Sequence, residues 1–522
     1  MAKTTVSTAR QDVRVDDIAA TSEVSRLLAE DKTPWYRKKN LRMLYAFLVP
    51  SALGVEITTG FDGSVLNGLQ AVDKWHSHFG HPGSATLGLI SASLEIGSVA
   101  VVPIIPWLND RWGRRFSVIL GSVLVAIGVA IQSAAVNIAM LIISRIVMGV
   151  GLTISLSGAA QLLTELCYPR ERAVLVGAFQ VSWYVGSILA AGTTLGTYNW
   201  PNDWSWRLPT LFQILPSSLQ LAFIWFVPES PRWLISRDRH DEALAILVKY
   251  HGEDDASSPF VAAEFRQIRE TLRLEKEQSS HPWRELINTR TNLRRVAVAF
   301  CVGLFSQWAG NGLVSYYLAK VLSTIGINDR LTQQINLGLS CWNLLTGATA
   351  ASIGTNYLAR RTQLLTGFGS MCVTFAAWTA ASAVFAKDDS NNSAAIAVVA
   401  LIFIYYAFYN LMTPLQYLYV SEVFPFIHRS KGIAIMQLSN KGGTGFNQFV
   451  NPIGLDTLKW RYYLVYVILL AVETFVIWLI YPETKGVSLE EVAIIIEGDK
   501  ARVELVEDTK GLDRDGLHES KV

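Results

Sequence analysis

This sequence predicts an all-α polytopic membrane protein of twelve transmembrane helices arranged as two six-helix halves, on three observations. Across 522 residues, 51% are apolar and only 17% charged, and mean hydropathy is +0.29, whereas soluble proteins carry roughly 25% charged residues. A ruler of about 20 mostly apolar residues per crossing finds twelve segments, with one long polar gap after the sixth. Short polar strings at the segment ends recur in both halves in the same order, as an internal duplication would leave them.

The segments run roughly over 43–69, 85–107, 116–136, 138–164, 174–197 and 208–227, then 296–320, 335–357, 363–385, 394–420, 432–454 and 462–481. The chain therefore divides into a tail (1–42), a first half (43–228), a linker (229–294), a second half (295–482) and a tail (483–522). The linker is rich in Arg, Glu and Lys, and its apolar patterns Ala243-Leu244-Ile246-Leu247 and Phe265-Ile268-Leu272 predict short helices on a membrane-facing surface. Residues 1–42 are polar and of mixed charge, so no cleavable signal peptide is expected and the first segment serves as its own insertion signal.

Basic residues of short loops set the orientation. Arg111, Arg114 and Arg115 follow segment 2, Arg170 and Arg172 segment 4, Arg360 and Arg361 segment 8, and Arg429 and Lys431 segment 10. All share a side with the basic run Arg37-Lys38-Lys39 and Arg42, which places both termini and the linker in the cytoplasm of a plasma-membrane protein. The sequon Asn391-Asn392-Ser393 then falls in an outside loop.

Several classes are excluded. With 45 Lys+Arg against 43 Asp+Glu the net charge is +2, too balanced for a nucleic-acid partner. Cys167, Cys301, Cys341 and Cys372 lack C-x-x-C spacing and read as small core residues. No nucleotide loop, metal-ligand spacing or Ser/His/Asp arrangement stands out, so neither enzymatic activity nor a cofactor or metal is expected, and the chain is expected to act as a monomer.

Arg114-Arg115 recurs as Arg360-Arg361; Glu165, Pro169 and Arg172 recur as Glu422, Pro425 and Arg429; Pro228-Glu229-Ser230 recurs as Pro482-Glu483-Thr484. A parallel duplication of six spans suits a transporter with a midplane site and alternating access. The strings Leu108-Asn109-Asp110-Arg111-Trp112-Gly113-Arg114-Arg115, Pro228-Glu229-Ser230-Pro231-Arg232-Trp233-Leu234, Ser421-Glu422-Val423-Phe424-Pro425 and Pro482-Glu483-Thr484-Lys485-Gly486 together resemble the sugar porter branch of the major facilitator superfamily, over about residues 43–495. Phe305-Ser306-Gln307-Trp308-Ala309-Gly310-Asn311 and Leu163-Thr164-Glu165 look most like fungal lactose permease, cellodextrin and hexose transporter relatives. The chain departs from the porter pattern at Ser306-Gln307, at Asn311, at Tyr417 and in the degraded loop Asn356-Tyr357-Leu358-Ala359-Arg360-Arg361, which argues against assuming glucose specificity.

A sugar carrier must replace a water shell with neutral hydrogen-bond partners and aromatic faces. Helical spacing supplies Gln180, Trp183, Tyr184 and Ser187 on segment 5; Gln307, Asn311 and Ser315 on segment 7, joined by Tyr317; Tyr406, Asn410, Thr413 and Tyr417 on segment 10; and Gln437, Asn440, Thr444 and Asn447 on segment 11. The resemblance implies sugar contacts for Gln180, Gln307 and Asn440. Amides of this kind also glue membrane helices to one another.

Asp62 and Arg145 lie inside segments 1 and 4, where each charge costs about 2.5–3.5 kcal/mol on insertion scales. The resemblance makes Asp62 the proton carrier and Arg145 its partner, hence proton symport of a mono- or disaccharide. Glu56, Glu95, Lys441 and Glu473 are further intramembrane charges, read mostly as helix–helix locks. Arg111, Arg114, Arg115, Glu165 with Arg172, Glu229 with Arg232, Glu422 with Arg429, and Glu483 are expected to form a cytoplasmic gate of ion pairs that clamps the halves together, each exposed pair worth ~0–1 kcal/mol. A passive sugar facilitator, a non-transporting sugar sensor and an exporter of a polar secondary metabolite remain alternatives.

Overall fold

The computed structural model describes residues 23–278, 283–354, 357–388, 390–424 and 426–485. Most of the expected tails, 1–22 and 486–522, and Asn356, Pro425 and Gly486 of the strings lie outside the described residues, as do 279–282 of the linker. All regular structure among the described residues is helical, and the chain forms two compact units.

The first unit comprises residues 1–280 and 329–341. Its membrane helices are α1 (Lys39–Leu69), α2 (Ser84–Val101), α3 (Ile105–Trp112), α4 (Arg114–Ser133), α5 (Ile138–Leu166), α6 (Pro169–Thr197), α7 (Trp204–Phe212) and α8 (Ile214–Ile224). Segment 2 bends where Pro103 opens a short 3-10 turn between α2 and α3. The sixth segment is split at Gln213 because Pro216, lacking an N–H, leaves the Phe212 carbonyl without its helical donor. Within the unit α1 packs along α6, α4 along α5, and α8 against α1 and α4.

The linker supplies α9 (Pro231–Ser236), α10 (His240–Tyr250) and α11 (Pro259–Gln278). Leu234, Ile235 and Ala243 are buried in one cluster with Phe265, Ile268 and Leu272 packed against it. Phe265, Ile268 and Leu272 of α11 thus pack on α9 and α10, while Leu244 of the same apolar pattern stays exposed.

The second unit comprises residues 281–328 and 342–522. It contains α12 (Arg290–Trp308), α13 (Asn311–Ser323), the latter part of α14 (Asp329–Thr349), α15 (Arg360–Phe385), α16 (Asn392–Met412), α17 (Leu415–Val423), α18 (Phe426–Leu458) and α19 (Tyr462–Ile480). Here α12 packs along α18, and α15 along α16 and α19. The pattern of the first unit is repeated, as a duplication requires. The start of α14, through Cys341, belongs to the first unit, held by neutral hydrogen bonds: Asn67 to Asn336 at 3.3 Å, Thr194 to Gln333 at 3.3 Å, and Ser187 with Ser340 at 2.9 Å.

Among the described residues, nine helical stretches are long and apolar enough to cross a membrane, the last covering both α18 and α19. Segments 6 and 8 fall short for physical reasons. The sixth is two short helices, and α14 opens on Asp329-Arg330 and carries Thr332, Gln333, Gln334 and Asn336 in its first turns. Of the cysteines expected in the core, Cys167 is buried, whereas Cys341 is exposed.

One buried contact ties the linker to the first unit's helices. His251, just past α10, sets Nδ1 2.7 Å from the Glu264 carboxylate and Nε2 3.3 Å from the carbonyl of Leu166, the last residue of α5. Both ring nitrogens face acceptors, which favours the cation, and a cation at a helix C-terminus is favourable. Burial pushes the imidazole down, but Glu264 and the Leu166 carbonyl together hold its pKa above the ordinary 6.5. A raised folded pKa means the stabilisation is complete below about pH 6.5 and is lost as pH rises through the folded value. In thermal unfolding of the detergent-solubilised protein, His251→Gln is therefore expected to lag wild type most at mildly acidic pH, the gap closing as pH rises; a pH-independent gap would contradict a charged His251.

Candidate functional site

The interior of the first unit is organised around one ion pair. Asp62 of α1 and Arg145 of α5 are 0% and 2% exposed, with Oδ1 and Nη1 3.7 Å apart. At that distance the charges attract but the contact is longer than a direct hydrogen bond. Beside the pair, α1 and α6 approach so closely that a β-carbon on Gly60 would meet the Trp183 carbonyl oxygen at 1.9 Å. This contact seats Trp183, half-buried and edge-on to Tyr184 at 5.4 Å. One turn earlier Gln180 is exposed, while Ser187, further along the same stripe, is buried and bonded to Ser64 at 2.8 Å.

The second unit's polar residues gather around a broken helix. Segment 7 ends as α12 at Trp308 and restarts as α13 at Asn311, across Gly310 at φ +99°, a left-handed conformation that favours glycine. The break frees the carbonyls of Ser306 and Ala309, to which Tyr409 and Tyr405 of α16 donate at 3.0 and 2.9 Å, and Tyr406 donates to the carbonyl of Asn311, the first residue of α13, at 3.2 Å. Asn311 is buried and donates its amide to the Tyr409 hydroxyl at 2.8 Å. Asn440 is half-buried and donates to the Ser306 hydroxyl at 2.8 Å. Gln307 is half-buried, with its backbone carbonyl accepting from Asn447. Gln307, Asn311 and Asn440 are thus brought to one locus.

Tyr317 is fully buried and donates its hydroxyl to the Gln448 carbonyl; Tyr417 on α17 is 44% exposed. Asn410 is completely buried and binds Asn343 and Thr346, at 3.2 and 2.7 Å, so this member of the segment 10 stripe joins helices. Sequence periodicity could not separate such amides from those facing open space, nor the tyrosines that bond a broken helix from exposed ones, since all share one spacing.

The arginine-rich strings have a geometry of their own. At the start of α4, Gly113 offers no side-chain cap, and the Glu229 carboxylate accepts from the backbone N–H groups of Arg114 at 3.1 Å and Arg115 at 3.2 Å. At the start of α15, Ala359 offers none either, and Glu483 accepts from Arg360 at 2.8 Å and Arg361 at 3.0 Å. Arg114 forks onto Glu165 at 3.1 and 3.3 Å, and Arg360 meets Glu422 at 3.4 Å. Each of these pairs closes within its own unit, as helix caps and braces. Burial pushes the Glu229 carboxyl up against its backbone donors; at Glu483 burial also raises, but four backbone N–H donors outweigh it and hold the carboxyl below the ordinary range.

A third remote cap was not foreseen: Glu253 of the linker accepts from the N–H groups of Asn40 and Leu41, at 3.0 and 2.9 Å, where α1 begins. Of the other gate residues, Arg111 and Arg172 are exposed, while Arg232 and Arg429 are half-buried. Asn391 of the sequon caps α16, its side-chain oxygen accepting from the Ala394 N–H at 3.1 Å. Glu56 and Glu95 are buried and Lys441 half-buried. Glu473, read as a helix lock, is 2% exposed with neither oxygen hydrogen-bonded among the described residues; it locks nothing by that means.

Duplicated bundles, a buried charge pair and a broken polar helix define an integral, multi-pass membrane transporter with the major facilitator fold, not an enzyme. Residues 47–495 match the family profile described as sugar (and other) transporter, and the chain belongs to that family. It is 27% identical over 442 residues to the MFS-type transporter criB of Aspergillus cristatus, covering 84% of this chain and 90% of that one. It is 25% identical over 449 residues to the high-affinity glucose transporter of Kluyveromyces lactis, covering 83% and 81%. It is 28% identical over 457 residues to the low-affinity glucose transporter HXT4 of Saccharomyces cerevisiae, covering 84% and 78%. Its fold is that of the inward open xylose transporter XylE from E. coli, with a TM-score of 0.72 at 20% identity over 87% of this chain and 99% of that one.

The caps make an asymmetric prediction. A β-carbon on Gly113, at φ +94°, would sit 2.3 Å from Glu229 Oε2, so Gly113→Ala is expected to cost on the order of 2 kcal/mol through backbone strain and loss of the cap. Its counterpart Ala359 has φ −68°, and Ala359→Gly is expected to cost well under half as much. Thermal midpoints of the two variants check the ranking.

Proposed function

We propose that this chain moves a neutral sugar, a mono- or disaccharide, across the plasma membrane together with a proton by alternating access, acting as a monomer with both termini in the cytoplasm. The observation that carries the reading is the buried Asp62–Arg145 pair, 3.7 Å apart without a direct hydrogen bond. Two charges at membrane depth are costly and mark ion or proton pathways by default. Asp62 takes a proton, its attraction to Arg145 is released, and the change of charge biases the conformational cycle; an arginine beside a carboxylate opposes protonation while burial favours it, so their separation sets when the proton binds.

Substrate contacts are assigned to Gln180, Trp183, Gln307, Asn311, Tyr317, Tyr417 and Asn440. The half-buried and exposed members present amides and aromatic faces without charge, which suits a hydroxylated ligand that must also be released. Relatives named as glucose transporters support a monosaccharide; the fungal lactose and cellodextrin likeness keeps disaccharides in the panel. A second reading, export of a polar secondary metabolite, is favoured by Lys441, which adds a cation next to Asn440, and by a first relative whose name specifies no sugar.

Uptake of labelled glucose, xylose, lactose and cellobiose in transport-deficient cells, with and without an uncoupler, tests the reading: at least one sugar should accumulate, and the uncoupler should abolish accumulation. Failure of every sugar would favour the export reading. Asp62→Asn is expected to lose uphill accumulation and its pH dependence while retaining sugar counterflow. Undiminished, pH-dependent accumulation by Asp62→Asn would remove Asp62 from coupling, and uncoupler-insensitive equilibration in wild type would indicate a passive facilitator.

A further inference from the structure

Residues 23–38, ahead of the first membrane helix, form a strap laid over the linker and the turn between α5 and α6. Residues 23–30 are helical, and Val24 is buried in one apolar cluster with Tyr168 of that turn and with Tyr250, Phe260 and Ala263 of the linker. Leu27 and Leu28 pack against the same cluster.

Beyond this apolar contact the strap is fastened at one residue. Half-buried Asp31 accepts through Oδ2 from Lys38 at 2.5 Å and from the Tyr168 hydroxyl at 2.8 Å, and Lys38 also lies 3.9 Å from the centre of the Tyr168 ring. Arg170, in the first turn of α6, donates to the Asp31 backbone carbonyl at 3.1 Å. Burial raises the Asp31 carboxyl, but the hydrogen bonds from Lys38 and Tyr168 outweigh it and hold it down to about 2. Asp31 is therefore an anion at any physiological pH.

Thr33 stands beside this fastening without using its hydroxyl in it. Its backbone N–H donates to Asp31 Oδ1 at 3.0 Å, while its side chain is exposed and the hydroxyl makes no hydrogen bond among the described residues. Pro34 follows at φ −70°, and the residue before a proline is kept extended, the conformation in which a protein kinase reads its substrate. The sequence holds four Ser/Thr-Pro steps, at Thr33, Ser230, Ser258 and Thr413. Ser230 is buried and caps α9, Ser258 is half-buried where α11 begins, and Thr413 lies between the membrane helices α16 and α17. Of the four, Thr33 alone is exposed.

We infer that Thr33 is a phosphoryl-acceptor site for a proline-directed Ser/Thr kinase, and that its phosphorylation unfastens the strap from the linker and the α5–α6 turn. The γ-phosphoryl group of ATP passes to Thr33 Oγ1, ADP leaves and the hydroxyl proton is released. The product carries about −1.5 to −2 charge beside a carboxylate that is already ionised. It repels Asp31 and competes for Lys38, the cation that holds Asp31 in place. The inference rests on the proposed cytoplasmic position of the amino-terminal end, where ATP and kinases are found.

Full-length protein in nanodiscs, treated with a recombinant cyclin-dependent kinase and Mg·ATP, tests it by phosphopeptide mapping and by hydrogen exchange over residues 23–38. Thr33 should be phosphorylated, and exchange over 23–31 should then quicken about tenfold, as loss of a charge-assisted hydrogen bond implies. Thr33→Val, an exposed change of nearly the same shape, should exchange like untreated wild type both before and after the kinase. Asp31→Asn should exchange fast without treatment and gain little from it. A Thr33 that takes no phosphate, phosphorylated protein that exchanges as slowly as untreated protein, or equal quickening in treated Thr33→Val would each overturn the inference. Nanodiscs offer both faces to the kinase, so these results are independent of topology; labelling of an amino-terminal tag from outside intact cells would refute the topology separately.

Discussion

The first N–H groups of a membrane helix need acceptors where the chain enters the bilayer, and at three helices of this protein remote carboxylates supply them. Glu253 caps α1, Glu229 caps α4 and Glu483 caps α15, in each case because the residue preceding the helix makes no side-chain cap. A carboxylate at a helix N-terminus satisfies orphan donors and complements the helix dipole together. These contacts also fix where the chain returns: Glu229 follows α8 and Glu483 follows α19, so each cap fastens the last membrane helix of a unit to the middle of the same unit. The linker gains its attachment to α1 in the same manner, through Glu253.

Inside the units the same rule, that backbone polar groups in lipid must find internal partners, explains the tyrosines. Breaking segment 7 at Gly310 places polar backbone and the side chains of Gln307 and Asn311 at one level, and it leaves carbonyls without helical donors. Tyr405 and Tyr409 close that deficit from α16, and Tyr406 adds a donor at Asn311. Phenol hydroxyls do this without adding charge, so the locus stays neutral.

Much of the architecture was legible in the sequence because membrane helices are announced by length and hydropathy. The apolar segments, the duplication and the interior Asp62 and Arg145 all follow from counting. What was not legible was partnership. The spacing of the matched glutamates and arginines reveals that charges are available but not which backbone they face; Glu229 and Glu483 face helix starts within their own units. An apolar stripe does not declare its cover either: Phe265, Ile268 and Leu272 pack on other linker helices, while Leu244 stays exposed. Asn410 and Asn311 sit on similar polar stripes, yet one joins helices and the other stands at a helix break, a difference set wholly by tertiary neighbours. Glu253 carried no signal, because a capping acid in a loop has no period.

The two copies have kept different things for physical reasons. The end strings survive in both, with Arg114, Glu165 and Glu229 matched by Arg360, Glu422 and Glu483, and even the outer arginines repeat their contact: Arg115 donates to the Trp225 carbonyl and Arg361 to that of Trp478. A helix start imposes the same demand whatever the helix later does, so both copies retained the same answer. The interiors face no such shared demand. The first unit buries an ion pair between α1 and α5, while the second places amides and tyrosines around a broken helix and leaves Glu473 without a hydrogen bond. The first copy thus holds two opposite charges against each other across a helix pair, and the second meets the polar demand of a broken helix with neutral hydroxyls and amides.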